Sequence, residues 1–200
     1  MIRRPPRSTH CISSAASDVY KRQELLQNLR GAIRTVPDFP QKGIMFRDIT
    51  PVLSDPGLMS GITEHFTNDL EGLGWRPEAV VGPEARGFIF GPLLADTLNI
   101  PFIPVRKPGK LPSDTISAEY NLEYGSNTLE MHTDALSIGQ RVVIVDDLLA
   151  TGGTVGACVD LCDTQGAVVV GALFVIELTG LGARENLSPV PVHALVDFPA

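Results

Sequence analysis

The densest chemistry in this chain lies in residues 142–154, VVIVDDLLATGGT, where β-branched residues run into two adjacent acids and then into a loop of small residues. That order predicts a strand, a turn and a helix N-terminus. Backbone N–H groups of Ala150, Thr151, Gly152, Gly153 and Thr154 can converge on a phosphate, and the positive end of the helix dipole favours an anion there. The hydroxyls of Thr151 and Thr154 add donors. Asp146 and Asp147 would repel that phosphate, but they suit vicinal hydroxyls, which donate hydrogen bonds to carboxylates. A phosphate beside a diol describes a ribose 5-phosphate. The run lacks the GK[ST] of a Walker loop and is not GxGxxG, so nucleoside triphosphate and dinucleotide sites both recede. Each piece alone could be an ordinary strand end and turn; the combination points to chemistry.

Cations are the second signal. The chain has 16 Lys and Arg against 23 Asp and Glu. The first 23 residues hold five of the bases and one of the acids, which leaves 11 bases against 22 acids in the remainder. Such a surface repels nucleic acid and anionic membranes. Yet Arg86, Arg106, Lys107 and Lys110 all stand beside glycine- or proline-marked loops, which suggests a local anion site on an acidic protein. Taken singly, Arg86 could equally be a surface helix residue, and the two lysines a solvated basic loop. Phe39, Phe46, Arg47 and Asp48 fall in a stretch punctuated by proline and glycine, and aromatics on a loop invite a binding role, although Phe46 alone could be a core residue.

The elements that must position these groups follow from periodicity. Leu25, Leu26, Leu29 and Ile33 have helical spacing, so a helix is expected over 24–34, ending before Pro37. Helices are expected over 57–73, 86–98 and 154–165, and strands over 79–81, 100–105, 141–145, 168–176 and 192–196. Residues 109–125 read as a long arm with two short strand-like pieces, followed by 128–131. Strands alternating with helices, with near-continuous Val and Ile runs, predict an α/β fold: a mostly parallel central sheet with helices on both faces. Two hundred residues, 44% of them hydrophobic, suffice for one such core and leave no room for a second full domain.

Residues 1–23 differ from the rest, with adjacent prolines, many serines and no apolar periodicity. They are expected to form a disordered leader ahead of a single domain at 24–200. The segment lacks the apolar core of a secretory signal, and it resembles translated sequencing-adapter text, so the natural chain is expected to begin near Glu24. The longest apolar runs fall well short of the roughly 20 residues of a membrane span. Three cysteines make no disulfide framework and favour a reducing compartment, hence a cytoplasmic location. Cys158 and Cys162, four apart on one helix face, read as small packing groups.

The string at 142–154 resembles the signature with which type I phosphoribosyltransferases bind 5-phosphoribosyl-1-pyrophosphate (PRPP). Residues 35–51, TVPDFPQKGIMFRDITP, residues 82–91, GPEARGFIFG, and residues 106–125, RKPGKLPSDTISAEYNLEYG, are similar to the adenine phosphoribosyltransferases in particular. The likeness runs from about Leu25 to Phe198. It implies the type I phosphoribosyltransferase fold with a projecting flexible arm and a small N-terminal hood, and purine salvage as the function, with adenine and PRPP giving AMP and pyrophosphate. It casts residues 150–154 as the 5′-phosphate loop and Asp146 and Asp147 as the ribose acids. Phe46 would stack on the purine, backbone groups of Met45 and Arg47 would read its amino edge, and Leu148 would close the other face. Glu84, Ala85, Arg86, Lys107 and Lys110 would face the pyrophosphate, with a non-proline cis peptide between Glu84 and Ala85. Glu123 would handle the base proton, with Arg86 and Lys107 the other catalytic groups, and Tyr124 on the arm would shield the site. Mg²⁺ would be held mainly through PRPP and pyrophosphate, with no direct protein ligand, and the enzyme would be a homodimer. A sister transferase for another base, or a non-catalytic PRPP sensor, would keep the phosphate loop but change the segments around Phe46 and Glu123 or add a DNA-binding domain.

Overall fold

A computed structural model describes residues 10–121 and 126–200, with side chains described for 19–120 and 127–200. In chain order the elements are α1 (His10–Ala32), β1 (Arg34–Pro37), β2 (Met45–Asp48), α2 (Thr50–Leu53), α3 (Pro56–Gly72), β3 (Ala79–Pro83), α4 (Gly87–Leu98) and β4 (Phe102–Val105), then β5 (Thr115–Asn121), β6 (Ser126–His132), β7 (Arg141–Leu149), α5 (Gly153–Thr164), β8 (Val168–Thr179), α6 (Ala183–Asn186) and β9 (Val192–Pro199). They fall into two compact units, Met1–Gly61 and Ile62–Ala200, with the boundary inside α3.

In the first unit β1 and β2 form an antiparallel hairpin that pairs Val36 with Phe46 and Arg34 with Asp48. Asp48 is the pin of this unit. One carboxylate oxygen accepts the Thr50 backbone N–H at 2.8 Å and the Thr50 hydroxyl at 2.6 Å, tying the hairpin to α2. The other oxygen meets Arg34 at 2.6 Å. These donors, Thr50 foremost, hold its carboxyl down at about 2.

The second unit is built on a five-stranded sheet ordered β4-β3-β7-β8-β9, with every neighbouring pair parallel. Its central strands read as unbroken apolar runs because both faces are covered. Val81, Val142 and Ile144 point into a core with Val155, Cys158, Leu161 and Cys162 of α5. Their neighbours Val80, Val143 and Val145, also buried, face the other way by the alternation of a strand, and α4 packs on β3 and β7. Cys158 and Cys162 are packing groups: burial pushes the Cys162 thiol up to about 12 and raises Cys158 well above its ordinary value.

Three expectations need correction. The first helix is not confined to 24–34 but begins at His10 and runs through the expected leader boundary at Gln23. No glycine or proline interrupts the chain between Pro6 and Gly31, so nothing local breaks the helix. The arm is not a set of separate strand-like pieces: β5 pairs with β6 throughout, from Thr115 opposite His132 to Asn121 opposite Ser126. Within the arm, Ile116, Ala118 and Tyr120 pack against the core that α5 covers. Last, α2 and α6 are single turns of helix too short to leave a periodic pattern in the sequence.

Candidate active site

The chemistry gathers at the carboxyl ends of β3 and β7, where an open α/β sheet ordinarily receives its ligand. A cavity of about 330 Å³ there is lined by residues 84–86, Lys107, residues 146–155, and Tyr120, Asn127 and Leu129 of the β5–β6 hairpin.

The loop at residues 150–152 forms because β7 ends at Leu149 and α5 starts at Gly153. Gly152, between them, has φ +87°, a conformation that L side chains resist. A Cβ there would also lie 3.1 Å from Leu187 Cγ. Glycine therefore answers to both backbone angle and space. The α5 N-cap makes no side-chain hydrogen bond, which leaves the first-turn amides of Gly153, Thr154 and Val155 to the cavity they line. From behind, Asn186 Nδ2 donates to the Thr151 carbonyl at 2.9 Å. Arg184 holds the α6 turn in place through two hydrogen bonds to the Glu177 carboxylate, at 2.8 and 2.6 Å.

Asp146 and Asp147 end up side by side. The Asp147 N–H donates to Asp146 Oδ1 at 2.9 Å, and Asp147 is 3% exposed. Burial pushes the Asp146 carboxyl well above its ordinary value, and the adjacent Asp147 charge pushes it further. Burial also raises Asp147, against the pull of Arg86. Arg86 Nη1 stands 2.8 Å from Asp147 Oδ2 without the alignment of a hydrogen bond, so charge rather than direction links them.

At the end of β3 the chain turns through residues 84–86 into α4, and the Glu84–Ala85 peptide is cis, as the resemblance implies. Gly87 sits where a Cβ would lie 2.8 Å from the Val145 carbonyl, so only glycine lets this turn lie against β7. Glu84 lines the cavity with its charge already met by an arginine: its carboxylate accepts Arg106 Nε at 2.9 Å.

The structure thus brings together Glu84, Ala85, Arg86, Lys107, Asp146, Asp147, Leu148 and residues 150–154. Lys110 is not among the lining residues; its carbonyl accepts from Arg106 at 3.1 Å. Met45, Phe46 and Arg47 belong to the first unit. There Phe46 meets the edge of Phe39 at 5.0 Å and 74°, and Arg47 Nη1 donates to Thr35 Oγ1 at 2.5 Å. Glu123 and Tyr124 lie outside the described residues. Sequence reasoning missed Tyr120 and Asn127, which lie opposite each other in the β5–β6 pairing, and Asn186, whose partner Thr151 is distant in sequence, and it noted Arg106 only as a cation near a loop.

Among the described residues, no three His, Cys, Asp or Glu gather as a metal site, and no helix is long and apolar enough to cross a membrane. The model of the phosphoribosyl transferase domain family matches residues 49–186, a span that holds every residue lining this cavity. An adenine phosphoribosyltransferase of Francisella tularensis subsp. novicida is 52% identical over 173 residues, 86% of this chain and 99% of its own. The crystal structure of the adenine phosphoribosyltransferase from Thermoanaerobacter pseudethanolicus superposes with a TM-score of 0.84 at 49% identity, covering 86% of this chain and 99% of that one. That of the Saccharomyces cerevisiae enzyme, complexed with an imino-altritol bisphosphate and adenine, gives 0.83 at 39% identity with the same coverage. The chain belongs to the adenine phosphoribosyltransferase family.

Proposed function

We propose that this enzyme transfers the 5-phosphoribosyl group of PRPP to adenine, releasing AMP and pyrophosphate. The observation that carries this reading is one cavity in which the amides that open α5 adjoin the paired acids of β7 and the Arg86 turn. Residues 150–154 hold the 5′-phosphate and Asp146 and Asp147 accept the ribose hydroxyls, which fixes C1 towards Arg86 and Lys107. As the C1–oxygen bond to pyrophosphate breaks, positive charge builds on the ribose and negative charge on the leaving group, and a base nitrogen attacks C1. Arg86, Lys107 and Lys110 offset the leaving-group charge. Phe46 offers its ring to the purine, backbone groups of Met45 and Arg47 read the 6-amino edge, and Leu148 closes the other face. Glu123 moves the proton of the base and Tyr124 excludes water.

The donor set fits magnesium carried by the substrate: the half-buried Asp146 and the buried Asp147 border the cavity, but two carboxylates are too few to cage a hard octahedral ion. When bound through pyrophosphate and ribose oxygens, Mg²⁺ supplies charge neutralisation. Buried free thiols at Cys158 and Cys162 suit the cytoplasm. The apolar circumference of α4, with Leu93 exposed, supports a homodimer.

The test is AMP formation from adenine, PRPP and Mg²⁺, with hypoxanthine and guanine as parallel acceptors and Glu123→Ala alongside. Turnover selective for adenine that falls about a hundredfold in the variant, the low end of what general acid–base catalysis contributes, is expected. Equal turnover of the oxo-purines, or none with any base, overturns the reading.

A further inference from the structure

We propose that Glu130, on β6, is a positioning residue of the pyrophosphate site, holding the loop that carries Lys107 and Lys110. This rests on the pyrophosphate role given above to those lysines. The loop is intrinsically poor at ordering itself. It is solvent-exposed from Lys107 to Lys110, Pro108 has no N–H to contribute, Gly109 adopts φ +72°, and its two lysines repel each other.

What order it has comes from outside. The backbones of Arg106 and Glu130 exchange two hydrogen bonds, at 2.9 and 2.7 Å. The Glu130 carboxylate then accepts the Gly109 N–H at 3.0 Å, at the apex of the loop. Arg106 closes the far side, donating from Nη1 to the Lys110 carbonyl at 3.1 Å and from Nε to Glu84 at 2.9 Å. Its guanidinium also lies 5.9 Å over the Phe88 ring. One strand residue thus grips both the root and the tip of the loop, and the arginine at the root ties its end to the Glu84 turn.

Charge makes the same case. An acid close to a polyanion site weakens binding unless its charge is used locally. Glu84 is neutralised by Arg106, and Glu130 is directed onto a backbone N–H beside two lysines. Neither carboxylate need touch substrate to matter.

The test compares Glu130→Gln with Glu130→Ala, because the glutamine carbonyl can still accept the Gly109 N–H. Glu130→Ala is expected to raise the KM for PRPP about tenfold, as loss of a hydrogen bond to a charged group would. The KM for adenine and the Tm should hardly move, and amide hydrogen exchange across residues 106–110 should quicken. Glu130→Gln should restore both exchange protection and the PRPP KM. Equal damage from both variants, a parallel rise in the adenine KM, or faster exchange with an unchanged PRPP KM would overturn the proposal. In that last event Lys107→Ala says where the fault lies: if it too leaves the PRPP KM unchanged, the pyrophosphate reading fails, and if it raises that KM, only the bracing does.

Discussion

Asp146 and Asp147 set function against stability within two adjacent residues. Burial and mutual repulsion raise the Asp146 carboxyl, so the folded chain tolerates its charge less well than the unfolded chain does. The sign follows from linkage. A carboxyl raised by folding favours the native state fully below its ordinary value, and that advantage is lost as pH rises through the raised one. Asp146→Asn removes the charge but keeps the shape, so its Tm is expected to exceed that of the parent at neutral pH. The gain should shrink as pH falls and disappear below about 4, where the unfolded carboxyl is protonated as well. Because the proposed function has Asp146 accept ribose hydroxyls, the same substitution is expected to raise the KM for PRPP by about tenfold or more. Thermal melts at several pH values together with PRPP titrations check both halves. A variant less stable at neutral pH would show that the carboxylate is needed for the fold. Asp48 has the opposite sign: held down at about 2 by Thr50 and Arg34, its contribution is lost as pH falls through that value.

At the level of elements, the loop proposed to hold the 5′-phosphate is backed by a turn that follows it by about thirty residues. Asn186 on α6 donates to the Thr151 carbonyl, and Leu187 packs where a side chain on Gly152 would go. Asn186→Ala removes one exposed neutral hydrogen bond, worth about 1 kcal/mol, so the PRPP KM is expected to rise a few-fold while the adenine KM stays put. Steady-state kinetics with each substrate varied in turn decides this; equal changes in both constants would mean the loop does not rely on α6. This dependence also explains what sequence could reveal. The strand, acids and glycine loop of residues 142–154 are contiguous, so their local order already contains the site. The parallel sheet was legible for the same reason, since each apolar run is complete in itself. Asn186 and Glu130 were not, because their partners Thr151 and Gly109 are distant in sequence and neither periodicity nor spacing encodes them. The true start of α1 was hidden differently: a polar, serine-rich stretch carries no apolar stripe, yet nothing in it stops a helix once one has formed.

For the molecule as a whole, α4 raises a question of assembly. Its sequence, GFIFGPLLADTL, is apolar around nearly its whole circumference. Phe90, Gly91, Leu94 and Ala95 are buried, whereas Phe88, Ile89 and Pro92 are half-buried and Leu93 is 43% exposed. A helix apolar all round is ordinarily covered all round, and a second copy of this chain is the cover proposed above. Leu93 suits a test because it is the exposed member of the face. Leu93→Asp places a charge where such an interface would be dry, at a cost that should weaken association at least about tenfold in Kd. Sedimentation equilibrium is expected to give twice the chain mass for the parent protein and a shift towards the single chain for the variant, with an unchanged Tm for the monomeric fold at low concentration. A parent that sediments as a single chain removes the homodimer. A dimer indifferent to the substitution moves its interface away from α4, because an aspartate could not be buried there without its consequence appearing in the mass.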